Sequence, residues 1–238
     1  PPPPWQLVWH DEFDSTALDT TRWTWDVGGG GWGNAELEYY TNRVENARVD
    51  SGALVIEARQ EPFGGQSYTS ARLKTQGLGA WKYGRIEARI QIPRGQGLWP
   101  AFWMLGDNIT QVGWPACGEI DIMENIGKEP AIVHGTAHGP GYSGANGIGA
   151  PYTLNTGAFA DGYHVYAIEW QPGSIVWSVD SIPYESVLAT QVPGTWVFDH
   201  PFFIILNVAV GGYWPGSPDG TTIFPQTMRV DYVRVYQR

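Results

Sequence analysis

Arg85-Ile86-Glu87-Ala88-Arg89-Ile90 alternates charged and apolar side chains, and Arg229-Val230-Asp231-Tyr232-Val233-Arg234-Val235-Tyr236 reads the same way. A side-chain period of two belongs to a strand with one face in water and the other against a core. A helix would repeat its apolar positions every three and four residues instead. Shorter runs of the same kind lie at 6–9, 53–59, 69–76, 98–105, 118–125, 132–138, 163–171, 174–179 and 202–210, while 81–92 and 228–236 contain the two runs just quoted. Gly, Pro, Asn and Asp bound almost all of them, which predicts roughly a dozen strands with turn-rich connections. The expected fold class is therefore all-β, a sandwich of two antiparallel sheets.

That architecture explains an unusual composition. The chain of 238 residues holds 31 Gly and 18 Pro, about a fifth of the total; ordinary usage gives about 12%. Tight turns need positive φ, which Gly supplies, or φ near −65°, which Pro supplies. Segments 139–150 and 211–220 are too long for hairpin turns and are expected to shape a site. No internal repeat and no later linker interrupts the pattern. One domain is expected over 5–238, with Pro1-Pro2-Pro3-Pro4 a linker end or a trimmed mature start.

Composition also removes function classes. With 14 Lys+Arg against 24 Asp+Glu, the net charge of −10 disfavours a phosphate-binding surface, so no nucleic-acid partner is expected. No run of 18 apolar residues exists, so no membrane-spanning helix is expected. The single Cys117 excludes a disulfide framework and a cysteine zinc site. Gly28-Gly29-Gly30-Gly31-Trp32-Gly33 contains G-x-G-x-x-G, but an all-β pattern offers no βαβ unit around it. It reads as a loop at a cleft edge, and no organic cofactor is expected.

Chemistry concentrates in Gly118-Glu119-Ile120-Asp121-Ile122-Met123-Glu124-Asn125. On a strand, Glu119 and Asp121 share one face while Ile120 and Ile122 point into the core. Glu124 falls on the wrong face unless a β-bulge near Ile122-Met123 restores it. The glutamate backbones would then lie roughly 13 Å apart. Side chains leaning together would bring the carboxyls to about 5–6 Å, close to a retaining glycosidase, with an inverting separation not far outside that range. Repulsion among the acids would raise at least one pKa, so a proton donor and a charged nucleophile could coexist. A solvated acidic strand face and a calcium site are the alternatives. Trp99, Trp103 and Trp114 beside the acids favour a sugar groove, because aromatic rings pack on the C–H faces of pyranoses.

This stretch resembles the signature of family 16 glycoside hydrolases, in the bulged form of the laminarinases. Trp9-His10-Asp11-Glu12-Phe13, Gly33-Asn34-Ala35-Glu36-Leu37-Glu38-Tyr39-Tyr40, Tyr83-Gly84-Arg85, Leu98-Trp99-Pro100-Ala101-Phe102-Trp103-Met104, Asn207-Val208-Ala209-Val210-Gly211-Gly212 and Asp231-Tyr232-Val233-Arg234-Val235-Tyr236 extend the resemblance over nearly the whole chain. It implies a β-jelly roll with a concave substrate cleft, and retaining endo-hydrolysis of β-1,3-glucan by a secreted, monomeric enzyme. It further implies Glu119 as nucleophile, Glu124 as general acid/base, Asp121 between them as the residue that hydrogen-bonds the nucleophile and tunes the shared protonation, and His138 near the acid/base. Asn34 and Arg85 would join Trp99, Trp103 and Trp114 in holding the β-glucan polysaccharide. Glu12, the Gly52 carbonyl and Asp231 would bind a structural Ca2+ away from catalysis. Another β-glucan or galactan hydrolase or transglycosylase, and a non-catalytic glucan-binding protein, are the competing functions; the latter kind lacks the two glutamates.

Overall fold

Ile86, Ala88 and Ile90 have no exposed surface, whereas Arg85 and Arg89 on the alternate face remain partly exposed. The strand they form, Gly84–Gln91, sits between His164–Gln171 and Gln226–Gln237. In this computed structural model, which describes residues 3–238, it lies mid-way along a ten-stranded sheet. Of the expected linker at 1–4, Pro1 and Pro2 lie outside the described residues. The sheet continues through Ser174–Val179 and Ile182–Leu188 on one side and through Leu54–Phe63, Gln66–Ser70 and Glu38–Tyr40 on the other. Gln6–Asp11 adds to Gln226–Gln237, and Ala47–Val49 adds to Leu54–Phe63.

The second sheet has seven strands in the order Ile148–Thr153, Ile132–His138, Glu119–Glu124, Leu98–Gly106, Phe202–Val210, Arg72–Lys74 and Thr24–Asp26. Between the sheets lies one apolar layer that includes Ile86, Ile90, Phe102, Met104, Ile120, Ile122, Ile204 and Val233. Each buried Ile or Val contributes roughly 1.5–3 kcal/mol by leaving water. Among the described residues no helix is long and apolar enough to cross a membrane.

Two expectations need correction. Pairing is not wholly antiparallel, because Glu38–Tyr40 runs parallel to Gln66–Ser70. The Arg229–Tyr236 alternation is also broken: the register shifts between Val230 and Tyr232 against the Gly84–Gln91 strand. The shift has a physical reason. Val230, Val233 and Val235 differ in parity, and only an inserted residue lets all three reach the core, where each is fully buried.

Candidate active site

Glu119–Glu124 occupies the middle of the seven-stranded sheet, so its outward side chains stand on the floor of that sheet's open face. Glu119 is opposite Leu105 and His138, and Asp121 is opposite Trp103 and Thr136. The register then shifts, and Glu124 is opposite Ala101 and His134. The shift is the bulge that the spacing requires. Ile120, Ile122 and Met123 all turn into the core, while the three acids share the open face.

Each acid is held by specific donors. The Trp114 indole N–H donates to Glu119 Oε2 at 2.8 Å, and the Trp99 indole N–H donates to Glu124 Oε1 at 3.0 Å. His138 Nε2 lies 3.0 Å from Asp121 Oδ2 and 3.8 Å from Glu119 Oε1. Gly147 closes over that imidazole, since a Cβ there would come within 2.3 Å of His138 Cε1. The segment 139–150 thus shapes the site through a residue that must lack a side chain.

Burial, then repulsion from Asp121, pushes the Glu119 carboxyl up to about 8, against a downward pull from His138 and the Trp114 N–H. Burial likewise raises Asp121 to about 7. Glu124 is raised well above the ordinary carboxylate range, first by burial and then by the charges of Asp121 and Glu119. The cluster titrates as a unit and holds at least one proton at neutral pH. Both glutamates are pushed up by burial and by the neighbouring acids, and both are pulled back by His138 and by an indole N–H, that of Trp114 for Glu119 and that of Trp99 for Glu124. A coupled cluster that holds fewer protons than it has carboxyls presents an acid and a carboxylate together, which is what acid/base chemistry needs. The donor atoms of Glu119, Asp121 and His138 also lie within 4.8 Å of one another, so the cluster could hold a cation.

The rest of the groove grows outward along the register. Trp103 donates its indole N–H to Asn207 Oδ1 at 2.7 Å, and Asn207 Nδ2 donates to the Tyr40 hydroxyl at 3.1 Å. Tyr40 in turn donates to Glu36 Oε2 at 3.2 Å. The Arg72 guanidinium sits 4.7 Å from the Trp103 ring centroid and 5.1 Å from that of Trp32, and it pairs with Asp26 at 2.9 Å. Trp214 packs edge-on against both Trp99, at 5.6 Å, and His134, at 5.0 Å. Asn34 lies at this side of the groove, its amide donating to Glu36 Oε1 at 3.0 Å and its carbonyl accepting from the Tyr213 N–H at 2.9 Å. No helix follows the glycine-rich loop. Gly28 instead bridges to Tyr40.

The structure therefore brings Glu119, Asp121, Glu124, His138, Trp99, Trp103 and Trp114 together, with Asn34 further along the same face. It does not bring Arg85 there. Arg85 lies in the opposite sheet, pointing away from the core, with its guanidinium 2.7 Å from Glu87 and 3.3 Å from Glu169. Alternation marked its face as wet but could not say which sheet opens onto the groove. Arg72, Asn207, Trp214 and Asp26 belong to the groove and escaped the sequence reading. For Asn207 and Trp214 a signal existed, since one falls in a quoted motif and the other in the 211–220 segment.

On the outer sheet, Glu12 gives both carboxylate oxygens to Arg234, at 2.9 and 2.8 Å. Asp231 uses Oδ2 in an ion pair with Arg89 at 2.7 Å. Both carboxylates are thus engaged by arginines in this arrangement, and a calcium ion there would take the place of those guanidinium groups.

Comparison with known proteins agrees with the geometry. The family model described as glycosyl hydrolases family 16 matches residues 34–234. A β-glucanase of Rhodothermus marinus is 48% identical over 99% of this chain and 86% of its own length. A glucan endo-1,3-β-glucosidase A1 of Niallia circulans is 40% identical over 97% of this chain, which spans only 38% of that relative. Among solved structures, the laminarinase catalytic domain of Thermotoga maritima MSB8 superposes with a TM-score of 0.95 at 52% identity, covering 98% of each chain.

Proposed function

Since this chain belongs to family 16 of the glycosyl hydrolases, we propose how its groove divides the labour of cleaving a glucan. The protein is an endo-1,3-β-glucanase, a glycoside hydrolase. Glu119, in its ionised form, whose population grows as pH rises toward about 8, attacks the anomeric carbon of a β-1,3-linked glucose while Glu124 passes its proton to the departing glycosidic oxygen. The carbon–oxygen bond of the linkage breaks and an ester to Glu119 forms. Glu124, now a carboxylate, takes a proton from water. The hydroxyl attacks the same carbon, the ester bond breaks, and the anomeric configuration is retained.

Asp121 stands between the two, and His138 Nε2 lies 3.0 Å from its carboxyl. Trp99 and Trp114 each direct an N–H onto one glutamate, so both carboxyls are aimed before substrate arrives. The single observation that carries this division is the bulge, which sets Glu119 and Glu124 on one face. Replacing Glu119 by Ala should abolish turnover of laminarin while leaving laminari-oligosaccharide binding intact; near-normal activity in that variant sinks the assignment.

A polymeric substrate suits an enzyme that works as a secreted single chain, and that location is part of the same proposal. So is a stabilising calcium ion on the outer sheet, held by Glu12, the Gly52 carbonyl and Asp231.

A further inference from the structure

The bulge on which the site depends is pinned from the opposite sheet. Trp177 lies on Ser174–Val179 in the ten-stranded sheet, is fully buried, and crosses the core to donate its indole N–H to the backbone carbonyl of Asp121 at 2.8 Å. Asp121 is the last residue in register before the shift against Leu98–Gly106, so the Trp177 N–H meets the backbone at the edge of the bulge. A buried carbonyl left without a donor forfeits the hydrogen bond it had in water and destabilises the conformation that strands it. A regular strand would satisfy it within the ladder. Without the Trp177 N–H, the segment gains a reason to abandon the bulge.

The space for the ring is itself built. A Cβ at Gly135 would come within 2.4 Å of Trp177 Cδ1 and 2.8 Å of Cγ. Gly135 is in the strand paired with Glu119–Glu124, facing the core between His134 and Thr136, which face the groove. Absence of a side chain there lets the indole slide under the sheet and reach the Asp121 carbonyl. The two observations come from different strands and meet at one hydrogen bond.

We propose that Trp177 is a positioning residue for catalysis, its indole N–H fixing the bulge that places Glu124 on the same face as Glu119. The inference rests on the acid/base role of Glu124 given above. Losing the bulge would shift the side-chain parity by one and carry Glu124 away from the groove, leaving Glu119 in place. The variant should therefore fail as an acid/base variant fails, and not as a merely loosened protein.

The test is Trp177→Phe, with site-specific 3-benzothienylalanine at position 177 as a second form that keeps the bicyclic ring and removes only the N–H. On laminarin, kcat should fall by about 100-fold, the scale of a 1 Å misplacement, with KM changed less than about threefold. On 2,4-dinitrophenyl β-laminaribioside, whose leaving group needs no proton, azide should accelerate turnover of both forms. Azide attacks the glycosyl ester and frees Glu119 without a general base, yielding the β-glycosyl azide. Glu124→Ala is the positive control and the unmodified protein the negative one. A laminarin kcat within about twofold of the parent overturns the proposal. So does a loss that azide leaves untouched while Glu124→Ala responds. If Glu124→Ala itself ignores azide, the acid/base assignment falls first and the inference with it.

Discussion

Glu119→Gln should make the protein more stable at alkaline pH while destroying its activity. Burial and the Asp121 charge hold the Glu119 carboxyl at about 8 in the folded chain, against an ordinary 4.5. Below pH 4.5 both folded and unfolded chains carry the proton, and the group has no effect on stability. Between 4.5 and 8 the unfolded chain releases the proton and the folded chain keeps it, so stability falls as pH rises. The full interval corresponds to a ceiling of about 5 kcal/mol at 1.36 kcal/mol per pH unit. The Glu119 side chain is 18% exposed, and groove water together with relaxation should reduce the realised gain to about 2 kcal/mol. Gln keeps the size of the side chain and an oxygen for the Trp114 N–H, so packing is nearly unchanged. For a chain of this length, about 2 kcal/mol raises Tm by roughly 4–8 °C. Thermal unfolding of both proteins at pH 5 and pH 8.5 would reveal a gap that opens with pH. A gap of equal size at both values, or a variant less stable at pH 8.5, refutes the account of strained charge at this position.

Other outcomes follow from particular contacts. Trp114→Phe removes the N–H that favours ionised Glu119, so the acidic limb of the kcat/KM profile should move to higher pH, read on laminarin between pH 4 and 9. Asp121→Asn removes the charge that raises both glutamates, so both limbs should move to lower pH while kcat falls by about 10–100-fold. Arg85→Ala should leave laminarin kcat and KM within about twofold, because its ion pairs lie on the outer sheet. For the calcium ion proposed at Glu12, Gly52 and Asp231, a chelator should lower Tm while leaving kcat unchanged below the transition; calorimetry with and without added Ca2+ decides it.

The bulge was readable because it is a counting problem. Glu119, Asp121 and Glu124 cannot share a face on a regular strand, and Ile120 and Ile122 anchor the opposite parity. The same arithmetic was present in Val230 and Val233, where the unbroken alternation was only apparent. Arg72 left no trace, since its significance arises from Trp32 and Trp103, which are far away in sequence and meet it only after the sheet forms. Three-residue strands such as Glu38–Tyr40 are too short to show a period. Their pairing is decided by what they pack against, here including the buried Glu38 carboxylate that accepts the Val210 N–H at 2.6 Å.

The stacking of Arg72 between Trp32 and Trp103 has a thermodynamic consequence. Asp26 and the Asn207 amide fix the cation and the indole from opposite ends, so the fold itself takes the rotamer freedom of the Trp103 ring. A glucose unit settling beside it therefore immobilises almost no side chain. The entropic penalty that accompanies most carbohydrate recognition is shifted from the binding event to the folding of the chain. Loosening the stack, by Arg72→Ala or Asp26→Ala, should return that penalty to the sugar, seen calorimetrically as a less favourable binding entropy.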